Sequence, residues 1–234
     1  MARTSASSLR CLGIALVAVC ATGCAVHLRH VPSADLNSVK AARPAKIMVA
    51  DGGDARGVSR PEEIGFGFSY WLPQRFTAED DRGPLPVSHY IARSLSEDLT
   101  RVGYDGSLAG QGRQPMLAEA AMAAAKKAGV DYLAISKVND AKTNFWGFLF
   151  IPFVEPVWTR VNLTIELVDA KTSEKSIIRV NRKRTEWNFA KVTIFDAIFD
   201  AALFGRMWHA RAWGRTVVSD ALADAVQKIS VTVK

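Results

Sequence analysis

AKKAGVDYLAISKV, residues 125–138, carries the end of a helix, a chain reversal and a strand in one short stretch. The residues before it, QPMLAEAAMAAAKKA (114–128), are nearly all strong helix formers. Lys126 and Lys127 fall in the last turn, where positive charge complements the helix dipole, and Gly129 supplies the left-handed stop. VDYLAISKV, 130–138, then reads as a strand. Upstream the same order recurs. Pro86 opens a helix in which Val87, Ile91, Leu95 and Leu99 recur at i+4, Val102 completes the stripe and Gly103 closes it. YDGSL, 104–108, is a short strand, and KIMVA, 46–50, is a first strand buried on both faces.

Downstream the pattern changes to period two. Val161, Leu163, Ile165 and Leu167 alternate with Asn162, Thr164 and Glu166, and RVNLTIELVDAKTSEKSIIRVNRKRTEW, 160–187, reads as a β-hairpin turning at Asp169–Ser173. Phe195, Ile198, Phe199 and Ala202 mark a helix over 192–204, and Val217, Leu222, Val226 and Ile229 mark another over 216–229. The order is β-α-β-α-β, then a hairpin, then C-terminal helices. It predicts an α+β fold with α/β-like alternation: one mixed sheet with helices packed on it, in a single domain over 46–234.

Three segments resemble the small α/β domain of bacterial envelope lipoproteins: LSEDLTRVGY (95–104), AKKAGVDYLAISKV (125–138) and VNLTIELVDAKTSEK (161–175). That group includes the YajG-type lipoproteins, the penicillin-binding-protein activator lipoproteins and the amino-terminal domain of TolB. Gly103, Gly129-Val130-Asp131-Tyr132-Leu133 and Asp169-Ala170-Lys171-Thr172 match its turns, while Ser173 stands where the group has glycine. The likeness covers roughly 46–188 and concerns turns and apolar positions, so it bears on fold more than on function.

The three cysteines, Cys11, Cys20 and Cys24, all lie at the front of the 234-residue chain. Arg3 and Arg10 provide a basic start, CLGIALVAVC (11–20) is an unbroken apolar run, and small residues follow: the order of a secretory signal peptide over 1–23. The run is about half of what spans a bilayer. Ala21-Thr22-Gly23-Cys24 resembles the lipobox of bacterial lipoproteins, which implies diacylglycerol and palmitate chains on Cys24 as the new N-terminus. Ala21 stands where that family most often has leucine, and small-x-small also suits ordinary signal peptidase. The alternative is therefore a soluble periplasmic protein with one free thiol. With Ala25 rather than Asp after the cysteine, the lipobox resemblance implies the outer membrane, facing the periplasm. Residues 24–45 lack periodicity and are punctuated by Pro32, Ser33, Ser38 and Pro44, so they read as a tether.

The chain is 49% hydrophobic and 23% charged, an ordinary globular composition. Its net charge is +7, and residues 1–23 hold two basic residues and no acid, which leaves +5 after their removal. Such a balance suits anionic lipid or polymer, while export makes nucleic acid a poor partner.

No catalytic constellation emerges. His27 and His30 fall in the tether, His89 reads as a surface residue, and there is no G-x-S-x-G elbow. No metal motif and no cofactor cradle is present. Asp51-Gly52-Gly53-Asp54 directly follows a strand; Asp51 and Asp54 could face a small ligand, or the four residues could simply form a turn. Asp196 and Asp200 share a helix face at i, i+4, either as a wet edge or as an acid pair.

The most unusual stretch is NFWGFLFIPFVEPVW, 144–158. It holds Phe145, Trp146, Phe148, Phe150, Phe153 and Trp158, broken by Gly147, Pro152 and Pro156, and reads as a long loop between strands. Such a loop either docks on a membrane or a partner protein of the envelope, or folds back as core. In FDAIFDAALFGRMWHARAW, 195–213, Trp208 and Arg211 suit the same kind of interface, against an amphipathic helix with a basic end.

Overall fold

Long strand β7 (Tyr132–Trp146) organises the molecule. The structure, a computed structural model, describes residues 24–28, 30–69, 72–110, 113–146, 154–189 and 205–233. One edge of β7 pairs antiparallel with β8 (Val154–Asp169), which pairs in turn with β9 (Lys175–Phe189). Its other edge is shared by two parallel strands, β2 (Lys46–Asp54) against 132–138 and β3 (Glu63–Ser69) against 143–146. Beyond β2 lies β6 (Asp105–Leu108); beyond β3 lie β4 (Leu72–Asp80) and then β1 (Cys24–Leu28). The two-residue β5 (Gly83–Pro84) joins β4, making nine strands in one mixed sheet among the described residues.

Helices cover both faces. The period of two sends Ile47 and Val49 to one side of β2, where they join a core with helix α1 (Val87–Arg101) and helix α3 (Gly205–Thr232). Met48 and Ala50 point to the other side, against helix α2 (Ala118–Ala128). Leu95 and Leu99 of α1 are fully buried, each worth about 1.5–3 kcal/mol. Val217, Leu222, Val226 and Ile229 of α3 are buried as their spacing predicts, and so are Val161, Leu163, Ile165 and Leu167 of β8. The α+β class and the one mixed sheet with packed helices are as expected, with the β3–β4 pair inserted between the first strand and the first helix.

Glycine is required where β3 meets β7. A Cβ on Gly65 would lie 2.3 Å from the Thr143 carbonyl oxygen, so no other residue admits that approach. Gly129 ends α2 at φ 63° as its position suggests. Ser173, in the turn position where glycine was the expected residue, adopts φ 61°, a conformation that costs an L-residue about 1 kcal/mol.

Several expectations need correction. Residues 24–45 are not a tether. They contribute β1, then a stretch bound along α1 and α3: the Val31 carbonyl accepts from Ser219 Oγ, Ser33 Oγ donates to Asp220 at 2.8 Å, and the Ala41 N–H donates to the Val102 carbonyl at 2.9 Å. Leu36, in a 3-10 turn over Ala34–Ser38, is buried in the main core. The partners lie far along the chain, and local composition does not reveal them. The stretch 144–158 is not all loop, because β7 runs on through Trp146 and β8 begins at Val154. Pro156 fits in β8 because the β7 pairing stops at Val157, leaving Pro156 opposite Trp187 alone. Helix α2 starts at Ala118 rather than 114, since the Met116 N–H is held by the Asp51 carbonyl at 2.8 Å. The helix expected over 192–204 lies outside the described residues.

Candidate functional site

The polar turn after β2 is engaged internally. Asp51, only 2% exposed, accepts from the Gly53 N–H at 2.8 Å and from Ser88 Oγ at 3.1 Å, with His89 Nδ1 3.9 Å away. His89 is itself buried, not a surface residue, because the first turn of α1 lies against β2. Burial raises the Asp51 carboxyl above the usual carboxylate range, against the lowering effects of its hydrogen bonds and His89. The native state therefore holds this proton more tightly than the unfolded chain. Its contribution to stability is complete below the ordinary value, about 4, and is lost as pH rises through the raised one. Asp51→Asn is expected to abolish that decline. Urea midpoints measured from pH 4 to 7 should converge on or rise above wild type as pH increases; a parallel pair of curves would exclude the effect.

Asp54 is held by Arg56, whose Nε reaches both carboxylate oxygens at 2.9 Å and whose Nη2 reaches Oδ2 at 2.6 Å. A cavity of ≈ 470 Å³ opens beside this pair, with Arg60, Glu63, Asp140 and Lys142 at its walls, so both signs of charge face it. Among the described residues no group of His, Cys, Asp and Glu could hold a metal ion.

The other candidate residues that the structure describes converge on one end of the sheet. Cys24 pairs with Gln74, Gln74 with Gly67, Gly67 with Phe145, Phe145 with Val157, and Val157 with Glu186. One cross-strand row thus connects the cysteine to the aromatic segment, and at about 4.8 Å per strand Cys24 stands about 14 Å from Phe145. The next positions outward pair Phe68 with Trp146, and Pro156 with Trp187. Trp158, four strand positions inward of Phe189's level on its neighbour, is half-buried opposite Asn144 and Thr185. Phe148, Phe150 and Phe153 lie outside the described residues, as do Asp196 and Asp200.

Helix α3 points the same way. Lys228 Nζ donates to the Arg179 carbonyl at 2.9 Å, and Asp224 meets Arg182 Nε at 3.5 Å, so lower helix numbers accompany higher strand numbers. From Asp224 back to Gly205 the helix runs about 28 Å. From Arg182 to Phe189 strand β9 runs about 23 Å. The helical turns carrying Trp208 and Arg211 therefore reach the level of the aromatic end. Sequence reasoning had named Cys24, Phe145, Trp146, Trp158, Trp208 and Arg211 separately; the pairing of β1 through β4 and β3 brings them to one place. Trp187, Phe66 and Phe68 join them through that pairing alone.

No family model and no curated protein matches this chain. Solved structures are similar in backbone. Protein XCC0632 from Xanthomonas campestris, of the DUF330 family, has a TM-score of 0.45 at 13% identity, covering 89% of this chain and 94% of that one. Lipoprotein GNA1162 from Neisseria meningitidis has a TM-score of 0.32 at 11% identity, covering 70% and 97%. The LpoB C-terminal domain from Salmonella enterica has a TM-score of 0.25 at 10% identity, covering 63% and 87%.

Proposed function

We propose that the chain is a lipid-anchored lipoprotein of the bacterial outer membrane, facing the periplasm. It acts by binding rather than by catalysis, as an accessory or scaffold in envelope assembly, cell-wall metabolism or transport. The observation that carries this reading is the place of Cys24. It is the first residue of β1, at one end of the sheet, where an acyl anchor leaves the rest of the domain projecting from the membrane. No helix among the described residues is long and apolar enough to cross a membrane, so in this reading the attachment is made by lipid on Cys24. The lipobox resemblance supplies the chemistry, and Ala25 the outer-membrane sorting.

A soluble small-ligand receptor is the competing reading, and it draws on Asp51 and Asp54. Both carboxylates already have partners within the protein, which favours the lipoprotein. The intact mass of the mature N-terminal peptide tests the choice. Diacylglyceryl and acyl mass on Cys24 is the expected result, and Cys24→Ser should move the protein from the membrane to the soluble fraction. An unmodified thiol on a mature Cys24 would remove the proposal.

A further inference from the structure

An acylated cysteine on a flexible leader would let a domain float above its bilayer. Here the pairing of β1 begins at Cys24 itself, opposite Gln74. Lipid on that residue would draw the attached sheet end down to the headgroups, because nothing lies between anchor and sheet to give. What stands at that end is therefore decisive.

The two ends of the sheet differ in chemistry. At the far end lie the starts of β2, β6 and β7 and the turn between β8 and β9, with Lys46, Asp105, Asp131, Lys171, Glu174 and Lys175. No tryptophan falls there. At the Cys24 end, Trp146 closes β7, Trp187 lies two residues before the end of β9, and Trp208 and Trp213 lie in the first turns of α3. Trp158 lies slightly inward on β8. Tryptophan concentrates where an apolar medium meets water, at the headgroup level of bilayers. The same end carries Arg206, His209, Arg211 and Arg215 along α3, with Arg75 on β4, against Glu155 and Glu186. That balance suits anionic headgroups.

We propose that this aromatic, basic end of the sheet is a docking surface for the anionic lipid headgroups of the bilayer that holds the Cys24 anchor. The proposal rests on the lipidation reading and adds an orientation to it. The strands stand away from the membrane, the ends of β7 and β9 and the start of α3 meet the lipid, and the polar turns at 129–131 and 169–174 face the periplasm. Binding to other envelope components then falls to surfaces away from the aromatic end.

The test uses the full chain purified from membranes and placed in phosphatidylglycerol-containing vesicles, with or without brominated acyl chains. Tryptophan emission reports contact with lipid, and intact mass on the same sample reports the state of Cys24. Acylated protein that loses much of its emission to the brominated lipid supports the proposal. Acylated protein with undiminished emission overturns the docking surface and leaves the lipoprotein reading standing. An unmodified cysteine with emission lost to added vesicles keeps the surface and removes the anchor. A photo-crosslinking residue at Trp187 should capture lipid in the cell, and one at Thr172, in the far turn, should not. Capture of a protein at Trp187, or crosslinks only within the chain, would overturn the proposal.

Discussion

Arg56→Ala is expected to cost about 3–5 kcal/mol, the range found when one partner of a buried ion pair is removed. For a domain of this size that is a fall in melting temperature of about 6–20 °C. The Arg56 side chain is 6% exposed and its guanidinium donates to five acceptor atoms. Besides the Asp54 carboxylate, Nη1 reaches the carbonyls of Glu63 at 2.6 Å and Ala141 at 3.0 Å, and Nη2 reaches that of Pro61 at 3.1 Å. Alanine leaves the Asp54 charge, 12% exposed, without its counter-ion and three carbonyls without their donor. Lysine keeps the charge but lacks the planar fork, so Arg56→Lys should fall between the two. The damage should be local in its first stage, because Arg56 ties the connection between β2 and β3 to β7. Hydrogen exchange is expected to quicken over β3 and β4 before it does over α1 and β8. Urea denaturation combined with exchange measures both, and a loss under about 1 kcal/mol would show that water replaces the guanidinium at little cost.

His30→Ala should produce a loss of similar size, about 3–5 kcal/mol, for a related reason. His30 Nε2 lies 2.8 Å from Asp98 Oδ1, with the two side chains 8% and 0% exposed. Arg101 Nε lies 4.0 Å from the same oxygen on a side chain 57% exposed, too far and too wet to replace the histidine. The substitution strands a carboxylate inside α1 and frees the stretch that follows β1. His30→Ala combined with Asp98→Ala is expected to lie closer to wild type than the sum of the single losses, since the double variant buries no unpaired charge. Additive losses in a double-mutant cycle would show that the two side chains do not support each other.

Asp54, Arg56 and His30 lie in regions where local pattern is weak, and there the sequence says least. Leu95 and Leu99, the Val161–Leu167 alternation and the glycines at 103 and 129 are local signals, each legible within a few residues of sequence. They suffice for α1, α2, β7 and the β8–β9 hairpin. Strand β4 has a poor pattern, with Pro73 near its start and Gln74, Arg75 and Glu79 within it; its partners on β3 and β1 make it a strand. His30 was set aside as part of a tether because three residues of sequence around it do not contain Asp98. Asp51 was equivocal because a carboxylate in a glycine turn reads alike in water and under a helix.

The sequence by itself determined the α+β class, the apolar faces of α1 and α3, the place of the hairpin turn and the separate presence of a lipobox-like cysteine and an aromatic-rich segment, since each is written in residues close together along the chain. Only the tertiary structure decided that Cys24 heads a strand, that this strand joins the sheet through β4 and β3, and that the cysteine, the end of β7 and the start of α3 share one end. Those facts depend on pairing between residues as far apart as Cys24 and Gln74, or Arg182 and Asp224. Such pairings are selected by the whole packed sheet, because a backbone edge offers the same hydrogen bonds to any strand and only the surrounding core settles which one it takes.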